Sequence, residues 1–421
     1  MAEAQAGKAE APARETSANV VLAMLLLVYT FNFLDRQILA IVAQPVKAEL
    51  GISDTALGLL GGLAFAMLYA TMAIPIGLIA DRKGRAKVIT ISLAAWSLFT
   101  ALCGLASGFW QLALCRLGVG IGEAGGVAPS YAIVAERFPP EKRARALAVY
   151  SLGAPLGVGA GALFGAMIAS AVDWRAAFIV LGLAGLLAAY PFARLVRDRP
   201  VPPTAERPPV LDVFRRLAAQ PAFWLVSFGA SMGSLCAYGL AFWVPTLLQR
   251  SYGLTLLEAG QFVGVQQIVA GVAGMLAGGV LADRIGTGDR AGYARVPAVA
   301  YLLCFPSLLL AFSMRGPTML FVLLLVPSGL IFVWLGPVTT AIQHLVPAGE
   351  RATASACFLL VNNGLGLGLG SLVIGSASDL LAPAYGEDSL RYGCMIATGT
   401  YLLAGASMLL AAPRLRKAWI A

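Results

Sequence analysis

The sequence predicts an all-α membrane protein with twelve transmembrane helices in two pseudo-symmetric six-helix bundles. Three observations carry this. The 421 residues are 59% hydrophobic and 12% charged, about half the charge of a soluble domain. Apolar runs of about 20 residues, long enough to cross a bilayer as a helix, recur along the whole chain. A β-barrel would instead alternate in segments of about ten. Finally, the chain repeats itself. Gly77-Leu-Ile-Ala-Asp81-Arg82 recurs as Gly279-Val-Leu-Ala-Asp283-Arg284, 202 residues later, and Pro129, Pro139 and Arg143 recur as Pro337, Pro347 and Arg351, 208 later.

In chain order, residues 1–17 are rich in Ala, Glu and Lys and read as a disordered tail. The N-terminal bundle, 18–195, holds spans at 18–44, 55–80, 86–107, 110–136, 143–171 and 174–195. The first is not a signal peptide: it lacks a small-residue cleavage site and carries Asp35 and Arg36 in its body. Segment 196–219 contains Pro200, Pro202, Pro203, Pro208 and Pro209 among charged residues and reads as a polar linker. The C-terminal bundle, 220–413, holds spans at 220–249, 256–282, 296–314, 317–344, 352–381 and 391–413, and 414–421 is a short tail. Glycines crowd several spans and let helices approach closely. Pro155 is expected to kink the fifth.

The formal charge of +9 is a matter of topology. With twelve spans both termini share one side, and 23 of the 30 Lys and Arg residues stand there against five on the other. The positive-inside rule makes that side cytoplasmic, with a bacterial inner membrane as the expected home. Nucleic acid is excluded as a partner. Six cysteines are scattered singly through apolar spans and His344 is the only histidine, so they read as core residues and no metal or other cofactor is expected. A phosphate-binding G-x-x-x-x-G-K-[ST] loop is absent, which argues against direct use of ATP.

Four charges lie away from the ends of the first four spans: Asp35, Arg36, Arg116 and Glu123. Each costs roughly 2.5–3.5 kcal/mol on insertion scales, so such groups face a bundle interior or an aqueous cavity. Asn32, Asp35 and Arg36 stand at i, i+3 and i+4 and share one helix face, while Arg116 and Glu123 lie two turns apart on another. The offsets of 202 and 208 carry Asp35, Arg36 and Glu123 onto Ala237, Tyr238 and Ile331. The second half therefore offers aromatic, apolar and weakly polar groups.

Gly77-x-x-x-Asp81-Arg82-Lys83-Gly84-Arg85 resembles the signature loop of the major facilitator superfamily. Within it, Asn32-Phe-Leu-Asp35-Arg36, Arg116-Leu-Gly-Val-Gly-Ile-Gly-Glu123-Ala and the glycine run from Gly153 to Gly161 resemble the spinster-like lipid transporters. The resemblance implies the major facilitator fold and places the first and fourth spans across a cavity, where Asp35 or Arg36 can meet Arg116 or Glu123 and couple protonation to conformation. It also implies a latch on the cytoplasmic side. Asp81 would cap the eleventh span, Arg85 would pair with Glu136, and Gly77, Arg82, Gly84, Asp283 and Arg284 would complete the two loops. Candidate cavity residues are Tyr29, Asn32, Phe33, Tyr238, Trp243, Asn362 and Asn363. The function expected is secondary active transport of an amphipathic lipid such as a lysophospholipid or sphingoid phosphate, with protons as a coupling ion and the monomer as working unit. An organic-anion symporter or a drug exporter is the alternative. An enzyme is not expected, because no nucleophile or metal set is present.

Overall fold

The computed structural model describes residues 16–198, 210–286, 289–347 and 350–420. The expected tail before residue 16 and the proline-rich centre of the linker lie outside the described residues. Ten separate helical runs are long and apolar enough to cross a membrane: α1 (Ala18–Ile41), α2 (Asp54–Lys83), α3 (Arg85–Cys103), α4 (Phe109–Arg137), α5 (Glu141–Ala171), α6 (Trp174–Leu195), α7 (Pro221–Tyr252), α8 (Leu256–Gly278), α9 (Gly292–Ser313) and α10 (Pro317–Gln343). The final run, Thr353–Ala418, is 66 residues, about three times what a 30 Å hydrocarbon core needs. It folds back on itself at a short 3₁₀ turn, Gly386–Asp388, entered through Gly386 at φ 54°. This gives α11 (Arg351–Asn362 running on through Gly368–Tyr385) and α12 (Ser389–Thr398 running on through Thr400–Ala418), and so twelve crossings.

Helix starts follow capping chemistry. Ser17, Ser53 and Asp173 each accept a backbone N–H of the first turn, and Thr255 with Glu258 forms a full capping box. Helix breaks repeat between the halves as the sequence does. α2 is interrupted at Gly62 and α8 by a π-helical turn at Gln267–Gly271. α4 breaks over 124–126 and α10 over 331–334. α5 breaks at Leu152 and α11 at a π-helical turn, Asn363–Leu367. Each pair lies within a few residues of the internal offset, so the pseudo-symmetry extends to where the helices bend.

Small residues set the spacing. A Cβ on Gly157 or Gly161 of α5 would collide with the backbone carbonyls of Thr30 or Leu34 of α1, so these two helices pack backbone to backbone. The halves meet along α2 against α11 and α5 against α8, leaving a central space between them. The linker departs from expectation. After the described gap it forms a helix, Val210–Ala218, because Val213 and Leu217 fall on one face and bury there. Arg216 ties this helix to Glu350, 2.5 Å away, just before α11.

Candidate functional site

α1 presents Asn32, Asp35 and Arg36 toward α4, as their spacing predicts. α4 ends its first segment at Glu123, so the carboxylate sits where the helix is interrupted. Of the pairings left open by the sequence, Arg36 with Glu123 is the one formed. Arg36 Nε donates to Glu123 Oε2 at 2.8 Å and Nη2 stands 2.7 Å from the same oxygen. Asn32 Nδ2 adds a second donated hydrogen bond at 2.9 Å. Two donated hydrogen bonds and the charged Nη2 contact converge on one oxygen, while Oε1 is buried and has no hydrogen-bond partner among the described residues.

Arg36 is held from the sides by aromatic faces, with its guanidinium carbon 4.7 Å from the rings of Phe65 and Tyr69 and 5.0 Å from that of Phe33. Behind it lie Asp35 and Arg116, both buried. They make no direct ion pair among the described residues. Trp96 and Thr100 stand beside the Asp35 carboxylate, but among the described residues no close hydrogen bond reaches either Asp35 oxygen, Arg116 Nε or Nη1, Trp96 Nε1 or Thr100 Oγ1. So dense a set of buried unpaired polar atoms is the setting in which internal water is retained.

In front of Arg36 is a cavity of about 240 Å³ between the halves. Tyr29, Phe33, Tyr238, Asn362 and Asn363 line it, and among the described residues Arg36 is the one charged side chain on its lining. Asp35, Arg116 and Glu123 stand behind Arg36 rather than on the surface. Asn32 is buried against Glu123 and is not a lining residue. Trp243 is a correction: it turns away from the cavity, fully buried, and donates to Ser371 O at 2.7 Å. An indole inside a bundle needs a partner for its N–H, and α11 supplies it. Sequence reasoning also missed Phe65, Tyr69, Tyr131, Gln37 and Gln267. The i, i+4 spacing of Phe65 and Tyr69 is the signal that could have placed two rings on one face of α2.

At the end of the bundle that carries the termini, Arg85 donates to Asp81 Oδ1 at 2.7 and 3.0 Å and pairs with Glu136, the second contact being the one implied by the resemblance. Gly84 has φ 103°, a conformation reserved for glycine, and a Cβ there would strike Asp198. Asp198, one of the charged residues of the linker, accepts from Ala86 N at 2.7 Å and caps α3. Gly77 and Arg82 lie on this loop, Arg82 exposed. Arg284 is exposed at the equivalent place in the second half, and the Asp283 side chain lies outside the described residues.

The opposite end is sealed between the halves. Asp54, at the start of α2, is held bidentately by Arg250 of α7 at 2.5 and 2.6 Å and also receives Lys47 at 2.7 Å and Ser378 at 2.8 Å. Asp379 of α11 accepts from the N–H groups of Asp54 and Thr55 at 3.2 and 2.7 Å. Below them Ser371 donates to Gly58 O at 2.7 Å, and a Cβ on Gly58 would collide with Ser371 O.

Two broken-helix bundles with a cavity between them, shut at one end by contacts between halves, are the architecture of a membrane transporter. The chain belongs to the Major Facilitator Superfamily, whose family profile matches residues 25–371. It is a transporter and not an enzyme. A curated relative, an "MFS-type efflux pump" of Mycolicibacterium smegmatis, is 34% identical over 387 residues, covering 91% of this chain and 90% of that protein. A "Probable L-galactonate transporter" of Escherichia coli is 28% identical, covering 79% and 77%. The crystal structure of a bacterial homologue of the human lysosomal transporter spinster, inward-facing and unoccupied, superposes with a TM-score of 0.84 at 29% identity, covering 96% of this chain and 98% of that one. The spinster-like resemblance read from the sequence is thereby borne out.

Proposed function

We propose that the protein carries an amphipathic organic anion, of lysophospholipid or sphingoid-phosphate type, with Arg36 gripping the anionic group and Glu123 serving as the proton-coupling site. The observation that carries this reading is that Arg36 is the sole charge on the cavity lining while its counterion Glu123 is buried behind it. A planar guanidinium binds phosphate or carboxylate through two parallel hydrogen bonds. Substrate and Glu123 therefore compete for one cation. Protonating Glu123 releases Arg36 to the substrate, and Asp35 with Arg116 balances charge behind the pair. Rings such as Phe242, Phe332 and Trp334 on the second half's wall suit an apolar tail. One chain completes the cavity, so the monomer is the working unit.

Arg36→Lys should weaken transport even though the charge is kept, because an ammonium cannot reproduce the planar fork. Shortening the acyl tail should lower affinity by about 0.8 kcal/mol per CH₂ withdrawn from water. Flat affinity across a tail-length series, or equal binding of a tail-less anion, would favour the second reading, transport of small organic anions. The L-galactonate transporter among the relatives supports that alternative.

The excess of Lys and Arg on the side of both termini favours a cytoplasmic placement for them. The seal at Asp54 and Asp379 then closes the outward side, in keeping with the inward-facing relative. In the opposite state Asp81 would cap α11, where a carboxylate meets the positive end of a helix. Asp81→Asn should therefore destabilise the outward-open state. Spin labels on the cytoplasmic ends of α2 and α11 would show this as a longer distance; an unchanged distribution would refute the latch.

A further inference from the structure

The wall opposite Arg36 is not simply greasy. Four carboxamides of the second half border the cavity, Gln266, Gln267, Asn362 and Asn363, and they are arranged in two tiers. The rear tier is committed. Ser234 donates to Asn362 Oδ1 at 3.0 Å, and Gln266 Nε2 donates to Ser328 at 2.9 Å. The next residue along each helix, Asn363 and Gln267, opens its π-helical turn and is only half-buried. Gln267 Oε1 is buried and has no hydrogen-bond partner among the described residues.

The π turns explain the arrangement. One extra residue in a helix rotates everything beyond it by about 100°. α11 can thus show Asn362 and Asn363 to the cavity and then turn Gly366 and Gly370 onto α7. Those glycines are needed there, since a Cβ on either would run into Ser234 or Leu235. A carboxamide both donates and accepts, and so does a hydroxyl group. An acyl chain laid across this strip would leave its amides unpaired, which is costly in a dehydrated site.

We propose that Gln267 and Asn363 form a neutral subsite for the hydroxyl groups of a polyhydroxylated anion whose acidic group is held by Arg36. A free sugar acid and the glycerol or inositol phosphate of a lipid head group share this chemistry. The inference rests on the reading of Arg36 as the anion grip and adds what lies beside the anion.

Binding to the purified full-length protein tests it with two matched pairs. Gluconate and hexanoate have the same carbon count and carboxylate, with and without hydroxyls. Lysophosphatidylglycerol and its lysophosphatidylpropanol analogue, both singly charged phosphodiesters, make the same comparison on a lipid. The hydroxylated member of at least one pair should bind about tenfold tighter for each hydroxyl seated. Preference in the first pair identifies a free sugar acid, and preference confined to the second identifies a lipid head group. Asn363→Leu and Gln267→Leu should each collapse that preference while leaving the plain anion's affinity within about twofold. Thermal melting and the milder Asn363→Ala variant establish that the fold is kept. Equal binding within both pairs would overturn the subsite, as would variants that weaken both members of a pair alike, or absence of binding by any hydroxylated anion at millimolar concentration. Arg36→Met should abolish binding of all four ligands. If it left binding intact with the hydroxyl preference unchanged, the anion grip would fall and the amide subsite would stand.

Discussion

Glu123→Gln is expected to abolish proton-driven accumulation while leaving substrate exchange across the membrane intact. Glutamine keeps the size of the side chain and an oxygen for Asn32 and Arg36 to donate to, so the packing of α1 on α4 survives. What it removes is the anion that competes with substrate for Arg36, whose side chain is 13% exposed on the cavity against 0% for Glu123. In the native protein, substrate anion binds best when Glu123 is protonated, so affinity should fall as pH rises through its titration. In the variant that dependence should vanish. Affinity at neutral pH should rise by roughly ten- to a hundredfold, the worth of a charge-assisted hydrogen bond of about 1.5–3 kcal/mol released to the ligand. Asp35→Asn should likewise abolish pH-dependent transport, since Asp35 is the other carboxylate of the buried set. Proteoliposomes with and without a pH gradient, and counterflow with none, separate the two activities. A Glu123→Gln protein that kept wild-type pH dependence would remove Glu123 from the coupling site.

The crossings, the two-fold plan and the charged face of α1 were legible in the sequence because each is a local pattern: apolar length, an internal repeat, an i, i+3, i+4 spacing. The choice of partner was not. Asp35 and Arg36 are adjacent, and only the rotation of α1 decides which one meets Glu123. Trp243 and Tyr238 look alike as aromatic residues on one helix, yet five residues place them on different faces, so Trp243 bonds Ser371 and Tyr238 borders the cavity. The helix in the linker was hidden by the proline run beside it, although Val213 and Leu217 carry the period that buries it. Asp198 read as one more linker charge; its role as a cap for α3 depends on Gly84 bending the chain toward it. Of the amide strip the sequence offered Asn362 and Asn363 as cavity residues, while Gln266, Gln267 and the grouping of all four escaped notice for a different reason. Gln266, Gln267, Asn362 and Asn363 are common polar residues, and only the π turns bring them to one surface.

The seal between Asp54 and Arg250 joins residues 196 apart, and its loss should open the outward side of the bundle. Arg250→Met would leave Asp54, 2% exposed, short of its principal counterion. Removing one partner of a buried pair costs about 3–5 kcal/mol, a change of roughly a hundredfold to several thousandfold in the balance between sealed and open forms. Asp379→Asn should act in the same direction and more weakly, because the N–H groups of Asp54 and Thr55 at the positive end of α2 then face a neutral amide. Spin labels at Ala48 and Ala384, both exposed at that end, should report one short distance in the native protein and a second, longer population in each variant. Arg315→Met is the control. Arg315 lies at the same end, 81% exposed and 3.9 Å from Asp388, and a pair so open to solvent is worth about 0–1 kcal/mol. The double variant Asp54→Leu, Arg250→Met decides whether charge is the cause. Replacing both members of a buried pair by apolar groups of similar volume is close to neutral, and Lys47, already part-exposed at 31%, can turn to solvent. The sealed distance should therefore return. A double variant as open as Arg250→Met alone would mean that the seal is held by the backbone contact of Gly58 with Ser371, and that the ion pair merely lies across it.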